Sequence, residues 1–458
     1  MSIARSQRYH ADNIRVALAT SAVFGIRWLL LLSAALRLAS IFVILSFLHP
    51  QTWEFGDVAH SLLRGHGYSY FGSPSAYMPP AYPLLLAGLF DLLGESWAVY
   101  LFLEVVQAAA GVLLVFMVYR LALVLYRDQA LARLAAILAA LYPPFIEMCN
   151  EFHSINFYIV LGVATALFLA KTLQQPSRWD YLVYAAISMG ILLLFRAETL
   201  LLALLFAALL FLRSQRDSRL ARSLVFLGIA YTLLAPWMLR NYRLFHELVP
   251  STTASGINLY TGNNPNATGS DRSATGYVLS SVPPAMQADL EAVPMVPEKE
   301  LLLDRIFRRE AFSYIASHPW REVILAGQKL RIFWSFDPNH QKGAQPVFWV
   351  PSIALSVFAA VGLLIGAKSS LRELSPLLLS IAFAMLTSVV FFVLPRYKIA
   401  IDPFLCIFAS NAVISLQANL CAWMPGRGPK EHLNANATIG GVNMLEHAVS
   451  PASQGQHA

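Results

Sequence analysis

The sequence predicts an all-α polytopic membrane protein with about ten transmembrane helices, interfacial helices in the first outer loop and one long outer loop. Three observations carry this. Of 458 residues 57% are apolar and only 13% charged, against about 25% charged in soluble domains. Apolar runs recur near the length that spans hydrocarbon, and inside hydrocarbon each must close its own backbone hydrogen bonds as a helix. Lys and Arg gather in alternate connections, which is the pattern of topology signals. The net charge of +7 is therefore assigned to membrane orientation rather than to nucleic acid. Three cysteines, Cys149, Cys406 and Cys421, are too few and too scattered for a disulfide or zinc framework. No cleavable signal peptide is expected, because the first run is too long for one and no small-residue cleavage site follows it.

The runs fall at 26–47, 98–119, 131–147, 156–172, 181–195, 199–212, 223–239, 346–367, 375–394 and 399–417. Arg5, Arg8 and Arg15 precede the first run, and Arg120, Arg127 and Arg133 follow the second. Lys171 and Arg178 follow the fourth, Arg213, Arg216, Arg219 and Arg222 the sixth, and Lys368 and Arg372 the eighth. The opposite short loops hold little beyond Arg64 and Arg196, so both termini are expected in the cytoplasm. This divides the chain into a cytoplasmic segment 1–25, a membrane module 26–239 with its first outer loop at 48–97, an outer loop 240–345, closing helices 346–417, and a polar tail 425–458 expected to be disordered.

The first outer loop departs from plain spanning. Val58, Ala59, Leu62 and Leu63 make one helical stripe that predicts an interfacial helix opening on Asp57 and ending at Gly65. The stretch 81–94 starts after Pro79 and Pro80 and stops at Gly94, too short to cross. The runs 181–195 and 199–212 are also short, which places Arg196 and Glu198 below the outer surface, where ionisable groups face polar cavities. In the long loop, 297–316 reads as an amphipathic helix broken by His318 and Pro319, with a second helix reaching about Phe336.

Two acids about ten residues past a span, Glu54 and Asp57, suggest acid–base work at the membrane edge. A carboxylate there can take a proton from an attacking hydroxyl; the plain alternative is that Asp57 caps the interfacial helix. Glu54, three residues away, tunes Asp57 by repulsion or replaces it. A leaving phosphate needs fixed cations, for which Arg396, Lys398, Arg240 and Arg196 are candidates, with snorkelling at a helix end as the alternative for the Arg396 and Lys398 pair. Arg37, deep in the first run, either meets an acid in the bundle or reaches the cytoplasmic surface. The block NLYTGNNP at 258–265 offers Asn258, Tyr260, Asn263 and Asn264 to sugar hydroxyls, unless it is only a turn-forming loop. Tyr68, Tyr70 and Tyr77 suit either sugar stacking or an interfacial aromatic belt. His60, His66 and His153 lack metal-ligand spacing, so no metal is expected.

The stretch PWMLRNYRLFHELVPSTTASGINLYTGNNPNATG at 236–269, with the first-loop acid and PRYKIAIDPFL at 395–405, resembles bacterial GT-C glycosyltransferases. These membrane enzymes, of the family 39 kind, use polyprenyl-phosphate-linked sugars and are related to protein O-mannosyltransferases and the lipid A aminoarabinose transferase. The likeness runs from the first span to about residue 415. It implies an inverting hexosyl or pentosyl transfer at the outer face of the bacterial inner membrane, with Asp57 in the place of the base. The partners implied are the bilayer, a lipid-linked sugar donor and a glycolipid, glycan or protein acceptor, with no nucleic acid and no cofactor beyond the donor. The family often carries a second acid near the start of the fourth span; here the sequence is SINFY. Asn156 takes that slot, or the role passes to Glu147 or Glu151, and Glu151 is counted with the acceptor or sugar-binding set. The rival class is a transporter or flippase for a lipid-linked sugar. It fits less well, because the polar groups gather on one face and no repeated halves are evident. A membrane scaffold would not need acids and bases converging there.

Overall fold

A computed structural model of the chain describes residues 25–273, 276–280, 282–366 and 371–423. The expectations for the N-terminal segment 1–24 and for the tail 425–458 lie outside these residues.

The described chain is mostly helical. The helices are α1 (Ile26–Ile44), α2 (Trp53–Leu63), α3 (Ala81–Leu93), α4 (Trp97–Tyr126), α5 (Gln129–Leu141), α6 (Pro143–Glu147), α7 (Ile155–Gln174), α8 (Trp179–Phe195) and α9 (Thr199–Arg213). They continue as α10 (Arg219–Phe245), α11 (Ser255–Gly262), α12 (Pro284–Glu291), α13 (Lys299–Ser317), α14 (Pro319–Trp334), α15 (Pro346–Gly366), α16 (Leu371–Val390), α17 (Pro395–Ile399) and α18 (Asp402–Trp423). Two short antiparallel hairpins, β1 (Ser69–Tyr70) with β2 (Ser73–Pro74) and β3 (Arg272–Ser273) with β4 (Gly276–Tyr277), sit in the loops.

By length and composition six helices are able to cross a bilayer: α1, α4, α7, α10, α15 and α16. A seventh is added if α5 and the following segment to Asn150 count as one span bent by 59°. Helices α8 and α9 and the stretch Asp402–Ala418 of α18 are shorter and apolar. The run 131–147, expected as one continuous helix, is thus broken. Asp128 caps its start, with Oδ1 accepting from Ala130 N (2.8 Å) and Leu131 N (3.1 Å). Pro143 and Pro144 end it, because proline supplies no N–H and clashes with the preceding turn.

In lipid, helices associate through close backbone approach rather than by escaping water, so small residues mark the contacts. Ala132, Ala135, Ala136, Ala139 and Ala140 of α5 are all buried, where α5 packs on α4 and α18. Helix α15 lies along α18, where a Cβ on Gly362 would stand 1.7 Å from the Phe408 carbonyl oxygen. Helices α7, α8 and α10 pack in sequence into a second apolar cluster, which α9 completes.

The connections at one end of the bundle are long and structured, and they form what is here termed the loop end. Helix α2 packs on α3 there, and α11 packs on α13. Helix α2 starts at Trp53, not at Asp57 as the stripe predicted. Asp57 lies in its second turn, so it does not cap the helix. Gly65, at φ 76°, terminates it in a conformation glycine adopts freely. The two helices expected in the long loop are α13 and α14, divided at His318.

Candidate active site

A cavity of about 870 Å³ lies at the loop end, walled by the ends of the spans and by segments of both long loops. Glu54, in the first turn of α2, lines it. Its carboxylate makes no hydrogen bond or ion pair with the described residues. Asp57 is exposed and is absent from the cavity walls. The one-turn-earlier start of α2 therefore exchanges the expected places of the two acids: Glu54 faces the cavity and Asp57 faces solvent.

The expected cations separate into two kinds. Arg396 and Arg196 line the cavity. Arg396 forms no ion pair among the described residues, its Nε is buried without a partner, and its guanidinium lies 5.8 Å from the Tyr397 ring. Arg196 pairs with Glu198 at 2.6 Å and sits 5.3 Å and 5.5 Å from the rings of Tyr158 and Tyr397. Lys398 also reaches the cavity, but it is buried and paired at 2.7 Å with Asp402, whose other oxygen accepts the Tyr142 hydroxyl at 2.7 Å. Its charge is already matched. Arg240 is not on the cavity wall at all. Its guanidinium donates to the carbonyls of Ser75 (2.6 Å) and Tyr68 (2.9 Å) and to Asn241 Oδ1 (2.9 Å), and it lies over the rings of Tyr68 and Trp237. Arg240 pins the first loop to α10.

Where the 131–147 run breaks, Glu147 and Glu151 reach the cavity and both pair with Lys342, from the segment between α14 and α15. Burial works against the Lys342 charge, but Glu151 and Glu147 outweigh it and raise its pKa. Asn156 does not line the cavity; its amide donates to the Met148 carbonyl at 3.0 Å and holds the turn that carries these acids. Nearby, burial first, then Arg396 and Arg196, hold the His153 imidazole well below its usual pKa, so it is neutral.

The block 258–265 is mostly structural. Asn258 faces the cavity, whereas Tyr260, Asn263 and Asn264 do not. Asn263 donates to the carbonyls of Leu259 (2.7 Å) and Val390 (2.9 Å) and accepts from Lys329 Nζ (2.8 Å). Asn264 donates to the Tyr260 carbonyl (2.7 Å) and accepts from the Asn266 amide (2.7 Å). Tyr260 packs against Phe307. A Cβ on Gly262 would lie 1.7 Å from the Phe391 carbonyl oxygen. This motif welds the long loop to the end of α16, and its glycine and amides are needed for that joint.

Arg37 neither meets an acid nor reaches a surface: it is fully buried and donates to Ser33 Oγ at 2.6 Å. His60 pairs with Glu95 at 2.7 Å away from the cavity. Tyr77 lines the cavity, and Tyr68 is buried against Trp237. Sequence reasoning did not single out Trp53, Asp271, Asp337, His340, Lys342 or Tyr397, all on the cavity wall. Only Lys342 left a signal, as a lone cation in a short segment ahead of a span.

The chain is similar to several known proteins. Residues 77–239 match the family model described as dolichyl-phosphate-mannose-protein mannosyltransferase. A 67-residue stretch is 39% identical to the GPI mannosyltransferase 3 of Drosophila melanogaster, covering 14% of this chain and 12% of that protein. The fold is similar to the oligosaccharyltransferase of Archaeoglobus fulgidus, solved with a tethered acceptor peptide, at a TM-score of 0.50 and 14% identity over 88% of this chain. The chain spans about half the length of that protein, 51% of it. ArnT from Cupriavidus metallidurans bound to undecaprenyl phosphate aligns over 86% of this chain and 78% of its own, at a TM-score of 0.40 and 13% identity. The resemblance to GT-C membrane glycosyltransferases read from the sequence is borne out, and with it the polytopic helical fold.

Proposed function

We propose that this chain is a membrane glycosyltransferase that moves a sugar, with inversion, from a polyprenyl-phosphate carrier to a glycolipid, glycan or protein acceptor outside a bacterial inner membrane. One observation carries the proposal: Glu54 and Arg396, neither of which forms an ion pair among the described residues, share one cavity at the ends of the spans. Glu54 takes the proton of the acceptor hydroxyl as its oxygen attacks the anomeric carbon. The bond from that carbon to the phosphate oxygen breaks on the opposite face, and its electron pair leaves with the polyprenyl phosphate. Arg396, with Arg196 behind it, stabilises the charge that grows on that phosphate. Attack opposite the leaving group inverts the anomeric configuration. A transporter would need a path to the other end of the bundle, whereas the residues lining this cavity belong to the loop end.

Arg396→Ala is expected to weaken donor binding by roughly 10- to 100-fold, the worth of a hydrogen bond to a charged group. Arg396→Lys should lose less, because it keeps the charge but not the fork. Binding of a polyprenyl-phosphate sugar to purified protein checks this; equal affinity in all three proteins would remove Arg396 from the donor site. The side of the membrane is tested separately by reporter fusions at 215 and 290, in which the first should report cytoplasm and the second the outside. A cytoplasmic signal at 290 would reverse the orientation and with it the acceptor's compartment.

A further inference from the structure

Aromatic residues flank Glu54 in a way the transfer step itself does not use. Trp53 and Tyr77 both line the cavity. Tyr77 stacks on Tyr70 with centroids 5.5 Å apart and planes 11° from parallel, and Tyr70 in turn meets Phe71 at 4.2 Å. Phe71 is 86% exposed at the tip of the β1–β2 hairpin. The series runs from solvent into the cavity.

Two of these residues are held at a backbone cost. Phe71 has φ 48° and Trp53 φ 52°, a region that bulky side chains rarely occupy. With Gly72 at φ 75°, the hairpin turn has the shape that favours Asn-Gly, so asparagine would suit position 71 better on backbone grounds alone. The hairpin is also anchored firmly. Arg240 binds the carbonyls on either side of it, and Glu300 accepts from the Ala76 amide at 3.0 Å and the Thr253 hydroxyl at 2.8 Å. These ties run to α10 and to α13 of the long loop. Burial, then the carboxylate of Glu54, pushes the Tyr77 phenol up to about 12, with Glu300 adding to the effect; burial first, then Glu54, Tyr77, Asp57 and Glu300, raises Tyr70 as well. Two carboxylates, Glu54 on the cavity wall and Glu300 bonded to the Ala76 amide, thus stand by the aromatic surface, with the guanidinium of Arg240 bonded to the carbonyls flanking the hairpin.

Sugar rings present C–H faces that settle on aromatic faces, while their hydroxyls bond to carboxylates at the edge; the same carboxylates repel sugars that carry a carboxylate or phosphate. We propose that Trp53, Tyr77 and the Phe71 hairpin tip form the acceptor subsite and that it takes an uncharged sugar residue. The word acceptor rests on the transferase reading above; the sugar-binding surface does not.

The test uses the purified full-length protein and saturation-transfer NMR, with methyl β-glucopyranoside and methyl α-mannopyranoside as neutral probes and the methyl glycoside of glucuronic acid as the anionic one. Ring protons of at least one neutral probe should receive saturation, and the uronate should bind about tenfold more weakly or not at all. Trp53→Ala and Phe71→Asn should each weaken the neutral probe by about tenfold, the scale of one aromatic contact. Phe71→Asn suits the turn, so loss of binding there is not loss of fold. No saturation in the wild type, or an unchanged signal in both variants, overturns the subsite. Unchanged sugar signals, with a share of the tryptophan quenching by brominated lipid that disappears in Trp53→Ala, would assign these rings to the bilayer instead, and would overturn it too. Donor turnover followed in the same samples keeps the two readings apart. Sugar binding without turnover supports the subsite while failing the enzyme, and turnover without sugar binding does the reverse.

Discussion

Glu54→Gln is expected to lower turnover by about 10²-fold or more while folding and donor affinity persist, because glutamine keeps the shape but cannot take a proton. Asp57→Asn is expected to leave turnover near the wild-type value. The two acids are three residues apart on one helix, yet only Glu54 is on the cavity wall and Asp57 is exposed. Neither exchange should disturb the helix: Glu54 makes no side-chain bond there, and no side chain caps the start of α2. Single-turnover kinetics with a polyprenyl-phosphate sugar and circular dichroism on the same preparations check this. If Asp57→Asn lost turnover and Glu54→Gln kept it, the base would be Asp57 and the α2 register would have to change in the working enzyme. Silence of both would leave the inverting mechanism without a base.

Much of the fold was legible because a membrane span announces itself by length and apolar content. Every run except 131–147, which is split into two helices, has its body in one helix, and the short ones at α8 and α9 are short in the structure as well. The break at Pro143 and Pro144 was visible as two prolines but was hidden inside an apolar run that continued past them. The α2 start was misplaced for a physical reason. Gly56 and Asp57 look like a helix boundary, whereas the chain enters the helix at Trp53 through a left-handed turn that no local pattern announces.

Site residues divide along the same line. The places of Glu54 and Arg396 on the cavity wall agree with their charge near a span end, which sequence displays. The two carbonyls that Arg240 binds lie 165 and 172 residues away, so its tie to the first loop could not be read from its neighbours. The amides of Asn263 and Asn264 matched a sugar-binding composition, but their partners are mostly helix-terminal carbonyls one turn back and the end of α16. Composition does not distinguish an amide offered to a ligand from one spent on a joint. Lys398 did leave a sign, an acid four residues on at Asp402, which is the spacing of a pair on one helical face.

That pair sets the last expectation. Lys398→Met should destabilise the protein by about 3–5 kcal/mol, the cost of leaving a buried charge without its partner. The side chains of Lys398 and Asp402 are 7% and 1% exposed, so water cannot replace the missing ammonium, and the Tyr142 hydroxyl alone cannot balance the carboxylate. Asp402→Leu should be damaging for the mirror reason. The double variant Lys398→Met with Asp402→Leu removes both charges and should be more stable than either single one, since a buried ion pair is often matched by apolar residues of similar size. Thermal unfolding of the three purified variants in detergent measures this, with donor affinity recorded alongside. Recovery in the double variant with donor affinity retained makes Lys398 a structural cation that positions α17, and with it Arg396, at the cavity. A stable Lys398→Met protein that had lost donor affinity would instead return Lys398 to the phosphate, as its place beside Arg396 first suggested.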